Sequence, residues 1–112
     1  MLRYDLSIVQ GEPFTQDVNF RTATNVYSLA GYTAKSQIRP RAGSNELTAE
    51  FSCEVFPKDG YIRMSLTKEQ TEAIPIGTYE YDLLIYKDGI NSYYIGGKVN
   101  IERHVTEPLW VM

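Results

Sequence analysis

Residues able to do chemistry are few in this chain and poorly placed to cooperate. His104 is the only histidine and Cys53 the only cysteine. A lone histidine without a near partner marks neither a metal site nor a base–nucleophile pair. Cys53 falls on the inward side of an alternating run, where a free thiol behaves as a small hydrophobe. Glu80 and Asp82 lie two apart and share one face of a strand. Such a pair can do acid–base work or hold calcium, but this face is the outward one, so solvated charge is expected. Asp59 and Asp88 are accounted for by the Asp-Gly turns they begin. There is no glycine-rich phosphate loop, no serine nucleophile elbow and no Cys/His metal spacing. The expectation is a non-enzyme with no metal and no cofactor.

Binding is better represented. Nine tyrosines stand against four phenylalanines and one tryptophan. Tyrosine suits half-buried strand faces and interfaces, being apolar at one end and wet at the other. Tyr4, Tyr27, Tyr61, Tyr86, Tyr93 and Tyr94 sit on strand faces and loops. Tyr86, Tyr93 and Tyr94 form a candidate stacking platform for a protein surface or a sugar ring; cross-strand tyrosine pairs that merely stabilise the sheet are the alternative. The second binding feature is the apolar tail Leu109-Trp110-Val111-Met112 behind Pro108. Large apolar side chains dominate interface energies, so these four are candidate anchors in a neighbouring subunit.

Composition narrows the partners. The chain has 112 residues, a net charge of −3 and a pI near 5.1. An acidic surface argues against nucleic acid, and the short basic run Arg39-Pro40-Arg41 reads as a solvated loop. A single cysteine excludes an intrachain disulfide and fits folding in a reducing cytoplasm. The opening residues lack the apolar core of a signal peptide, and no apolar run is long enough to span a membrane. Neither nucleic acid nor membrane is an expected partner.

The elements are those of an all-β domain. Leu2 to Val9 alternates, placing Leu2, Tyr4, Leu6 and Ile8 on one face. Phe14 to Phe20 alternates again with Gln16 as an exception, Leu29 tucks beneath the sheet, and Tyr32, Ala34, Ser36 and Ile38 share a face. Leu47, Ala49, Phe51, Cys53 and Val55 form the inward side of a fourth strand, and Ile62, Met64 and Leu66 that of a fifth. Thr67 fits a helix N-cap ahead of a short turn over 67–73, which Pro75 and Gly77 end. Tyr79, Tyr81, Leu83 and Ile85 face inward on the sixth strand, and Ile90 to Val105 makes the last. Both Asp-Gly pairs predict hairpins, and Gly96-Gly97 predicts a bulge or a close backbone approach. About seven strands with closely spaced turns and one helical turn between strands five and six describe a two-sheet antiparallel β-sandwich over 1–105, with 106–112 as the tail.

Three pieces of sequence carry a family resemblance. They are Ile8-Val9-Gln10-Gly11-Glu12-Pro13-Phe14, Leu29-Ala30-Gly31-Tyr32-Thr33, and Leu66 to Ile85 with its Gly77-Thr78-Tyr79-Glu80-Tyr81-Asp82. In that order they resemble the small immunoglobulin-like domains of tailed-bacteriophage structural proteins, of which the N-terminal domain of phage baseplate upper proteins is an example. The resemblance extends to about Val105 and brings no catalytic residues. It implies an immunoglobulin-like sandwich made in the host cytoplasm and built into a virion in many copies. The implied partners are other virion proteins and copies of itself. The role would be a tail or baseplate accessory, a neck or fibre adaptor, or a capsid decoration, with a glycan- or cell-surface-binding module as the alternative. Within the immunoglobulin pattern Tyr79 stands at the corner before the sixth strand, where a tyrosine hydroxyl bonds back to upstream backbone, and Tyr81 stands where antibody domains carry a disulfide cysteine.

Overall fold

The computed structural model describes residues 1–20 and 28–106. Its elements are β1 (Leu2–Arg3), β2 (Leu6–Val9), β3 (Phe14–Asn19), β4 (Thr33–Arg39), β5 (Ala49–Phe56), β6 (Tyr61–Leu66), α1 (Lys68–Ala73), β7 (Gly77–Lys87) and β8 (Ile90–Glu102). One layer contains β1 and β2 alongside β8, then β7, β4 and the start of β5. The other contains the rest of β5, then β6 and β3. β5 belongs to both. Ala49 to Phe51 pair with β4, and from Ser52 onward the strand pairs with β6.

Alternation along the strands places the core. Ile38, Leu83 and Val99 from the larger layer are fully buried with Ile62 and Met64 from the smaller one. Between the layers the Phe51 and Tyr81 rings meet edge-on, with centroids 6.2 Å apart. Leu29 is buried under the sheet as expected, although it belongs to no strand.

Helix α1 has six residues, too few to be stable alone. Its ends and its one buried residue hold it. Thr67 and Gln70 form a reciprocal capping box, each side chain accepting from the other's backbone N–H. The Thr71 hydroxyl donates to the Glu12 carbonyl at 2.8 Å and accepts from the Gly11 N–H. Gln10 donates its side-chain amide to the Ile74 carbonyl. The β2–β3 turn and the helix therefore fix each other. Beyond the helix, the Tyr79 hydroxyl donates to the Pro75 carbonyl at 2.7 Å, which is the corner bond expected of that position.

Five sequence expectations need correction. The first strand is broken in two, giving eight strands among the described residues, and both pieces run parallel to β8. The break releases Leu2 and Tyr4 from the inward face, and both are exposed. Leu47 precedes β5 and is also exposed. At 57–60 only Gly60 has positive φ, so the first Asp-Gly is part of a four-residue loop. The second is the two-residue turn that Asp-Gly favours, with Asp88 at φ 53° and Gly89 at φ 79°. Finally, the bulge lies upstream of the glycine pair. Leu83 pairs with Ile95 but Leu84 pairs with Tyr93, so Tyr94 is the extra residue. Gly96 and Gly97 serve the other expected purpose, close approach. A Cβ on Gly97 would lie 2.7 Å from the Tyr4 carbonyl oxygen and 2.6 Å from Asp5 Oδ1.

Candidate interaction face

Of the residues that sequence singled out, Glu80, Asp82, Tyr86 and Tyr93 share the outer surface of the larger layer. Cross-strand register sets them in rows. Lys35, Leu84 and Tyr93 make one, and Thr33, Tyr86 and Asn91 the next. Side chains opposite each other in a sheet project to the same side, so Leu84, Tyr86 and Tyr93 form one apolar–aromatic group. Tyr86 and Tyr93 are exposed by 45% and 55%. The third member of the expected platform is not there. The bulge at Tyr94 lets it join Ile95 against the core, where its ring packs on Phe20 with centroids 4.2 Å apart. Tyr61 is also occupied, stacked on Phe56 at 4.4 Å beneath the Arg63 guanidinium. Tyr27 and the anchors Leu109, Trp110, Val111 and Met112 lie outside the described residues.

The next rows of this face are polar. Gln37, Asp82 and Gly96 lie side by side, followed by Arg39, Glu80 and Lys98. Gln37, Arg39, Glu80 and Asp82 of these rows line a hollow of about 320 Å³ bounded by Met1, Arg3, Arg41 and Tyr93. Gly97 of β8 also borders it. The carboxylate pair is therefore more than solvated charge. Glu80 accepts the Ala42 backbone N–H and an ion pair from Lys98 at 3.4 Å. Those two partners hold its pKa below the usual range, the Ala42 bond first. Asp82 is pushed upward by burial, which the charge of Arg39 opposes. Arg39 in turn donates to Gln37 and to the Ser44 carbonyl. The basic run at Arg39 is thus tied into the sheet and not simply solvated. No single stretch of sequence announces this hollow, because its walls come from the N-terminal segment, three strands and the loop after β4.

Cys53 is half-buried, and burial followed by the nearby Glu50 charge raises its thiol to about 11. A thiol so placed stays protonated near neutrality and is a poor nucleophile. His104 is exposed beyond β8. Among the described residues no three His, Cys, Asp or Glu side chains gather to hold a metal ion. No helix among them is long and apolar enough to cross a membrane.

Comparison with solved structures gives the fold. The extracellular domain of the voltage-gated sodium channel β4 subunit superposes with a TM-score of 0.53, covering 92% of this chain and 93% of that one. The fold is an immunoglobulin-like β-sandwich. That structure is described by its parallel homodimers and their role in cell–cell adhesion. At 7% identity the likeness concerns architecture alone. No family model matches the sequence, and no curated protein does.

Proposed function

We propose that this chain is a non-catalytic interaction module that assembles in multiple copies, as a structural protein of a tailed-bacteriophage virion. The observation that carries the assembly reading is the Leu84–Tyr86–Tyr93 group on the outer face of the larger layer, in which Tyr86 and Tyr93 are exposed beside a half-buried Leu84. The core is closed without these side chains, so their exposure serves no folding purpose that burial could supply. Clustered aromatic and aliphatic side chains of this kind are enriched at protein interfaces. The β4-subunit homodimers are a precedent for an immunoglobulin-like domain meeting a copy of itself. The virion setting rests on the phage-like motif series from Ile8 to Asp82.

Sedimentation of the full chain over a wide concentration range tests the first part. Self-association is expected, and Tyr86→Ser with Tyr93→Ser should weaken it by about tenfold or more. An unchanged association constant in the double variant would exclude this face. Mass spectrometry of particles assembled from the genome that encodes the chain tests the second part, and absence of the chain from them would overturn the setting.

A glycan-binding module is the second reading. It is favoured by the position of the Tyr93 ring beside a hollow that offers Asp82 and Gln37, since sugars are held by an aromatic face with polar groups alongside. Binding of the full chain on a glycan array, lost in Tyr93→Ala and kept in Tyr94→Phe, is the expected result. A blank array removes this reading.

A further inference from the structure

We infer that the hollow on the outer face of the larger layer binds a carboxylate-bearing sugar, with Arg3 and Arg41 on the carboxylate, Asp82 on ring hydroxyls and Tyr93 against the ring. This deepens the glycan reading and rests on it, by naming the chemical class of the ligand.

Register places the groups. Arg3 lies beside Gly96, Gly96 beside Asp82, and Asp82 beside Gln37. Neighbours across a sheet project to the same side. Arg3 and Asp82 therefore stand two strand spacings apart, roughly 10 Å, and both line the hollow. Gly96 brings no side chain between them, although the Met1 thioether comes within 3.1 Å of where its Cβ would be. Arg41 approaches from the opposite side. The loop after β4 folds over the row of Glu80, because the Ala42 N–H is bonded to the Glu80 carboxylate, and this brings the adjacent Arg41 to the rim.

Existing bonds decide which groups can serve a ligand. Glu80 already holds Ala42 and Lys98. Arg39 is bonded to Gln37 and to the Ser44 carbonyl, and Gln37 also donates to Glu50. Arg3, Arg41 and Asp82 make no side-chain hydrogen bond among the described residues. Arg3 acts on Glu80, and Arg39 on Asp82, only through space. The exposed Tyr93 ring completes the set.

This mixture selects the ligand. A guanidinium group is a planar fork that matches a carboxylate through two parallel bonds. A carboxylate such as Asp82 accepts from hydroxyls. A bare phosphate would use the arginines, but it would meet the charge of Asp82 and leave Tyr93 idle. A neutral sugar would use Asp82 and Tyr93 and leave the arginines idle. An acidic sugar uses them all. Charge points the same way. The chain has a net charge of −3, yet the described walls of the hollow carry Arg3, Arg39 and Arg41 against Glu80 and Asp82, and Glu80 is paired with Lys98. A locally positive concavity on an acidic chain draws anions to itself. At about 320 Å³ the hollow is near the lower end of the range for ligand sites. That suits a terminal sugar residue and not an extended chain.

Methyl β-glucuronide and methyl β-glucoside differ only in the carboxylate, so they are the probes, with inorganic phosphate beside them. Each is titrated into the full chain and followed by NMR at the arginine side-chain N–H groups. The glucuronide should bind about tenfold or more tightly than the glucoside and shift Arg3 and Arg41. Arg3→Gln combined with Arg41→Gln should erase that preference, and added salt should reduce it. Both positions are exposed, so thermal melting should show the double variant folded. The same preference is expected on the glycan array, for sugars with an acidic terminus over neutral ones. Equal binding of acidic and neutral sugars, or an array signal confined to neutral ones, would overturn the inference and leave the glycan reading standing. Phosphate binding as tightly as the glucuronide would make this a plain anion site and overturn it too. No sugar bound in either assay would remove both.

Discussion

Replacing Tyr81 with alanine is expected to lower the free energy of unfolding by about 4 kcal/mol, as for other buried aromatics. The ring is 6% exposed and fills the space between the layers against Phe51. Its hydroxyl donates to the Tyr4 carbonyl at 2.7 Å, so the deletion also leaves that carbonyl without its partner. Burial, then the neighbouring Tyr4 and Asp5, push this hydroxyl's pKa up to about 12, consistent with a group that remains a donor throughout the ordinary pH range. Tyr79→Phe is the natural comparison. It keeps the ring and removes only the bond to Pro75, so about 1 kcal/mol is expected. Urea unfolding of the two variants beside the parent measures both. Equal midpoints for all three would mean that the inward face of β7 has been assigned to the wrong side.

Gly97→Val should have the second largest effect. Gly97 does not adopt positive φ, so glycine is required there by space and not by backbone conformation. A side chain would strike the Tyr4 carbonyl and Asp5, both within 3 Å of the first added carbon. Backbone cannot yield as a flexible side chain does. A loss of about 2–3 kcal/mol is expected, in the range of overpacked interiors. The site of the damage can be read as well. The Tyr4 N–H donates to Gly96 and the Lys98 N–H to Asp5, so hydrogen exchange at these two amides should accelerate well before that of β4 or β6. Unchanged protection at both, together with unchanged stability, would mean that the N-terminal segment does not lie against Gly97.

The relation between sequence and structure differs from element to element. Strands with a single uninterrupted period were legible: Ile62, Met64 and Leu66 alternate without exception and are all buried. The helix was legible because its cap chemistry is local, with Thr67 and Gln70 three residues apart. Departures occur where one residue resets the period. Leu2 and Tyr4 continue the alternation of Leu6 and Ile8 on paper, but the break before Leu6 detaches their facing from it. Tyr94 has the same cause in another form. A bulge inserts one residue, and alternation alone does not say which residue is inserted. Of the candidate site, Tyr86 and Tyr93 were visible as outward aromatics. The hollow beside them was not, because Arg3, Arg39 and Asp82 meet only after three strands have found their register.

The parallel pairing of β1 and β2 with β8 has a consequence for synthesis. Leu2 lies opposite Ile95 and Leu6 opposite Val99, among the most distant contacts that the sequence allows. A ribosome delivers β1 and β2 first and their partner strand last. Until then Leu6 and Ile8 have no β8 to cover them, and the closure of so long a loop weighs against their early ordering. Hairpins such as β5–β6 and the capped turn that follows can form while the chain is still growing, since their contacts are local. The residues made earliest are thus the ones that settle latest, and the sandwich is sealed along the strand that began it.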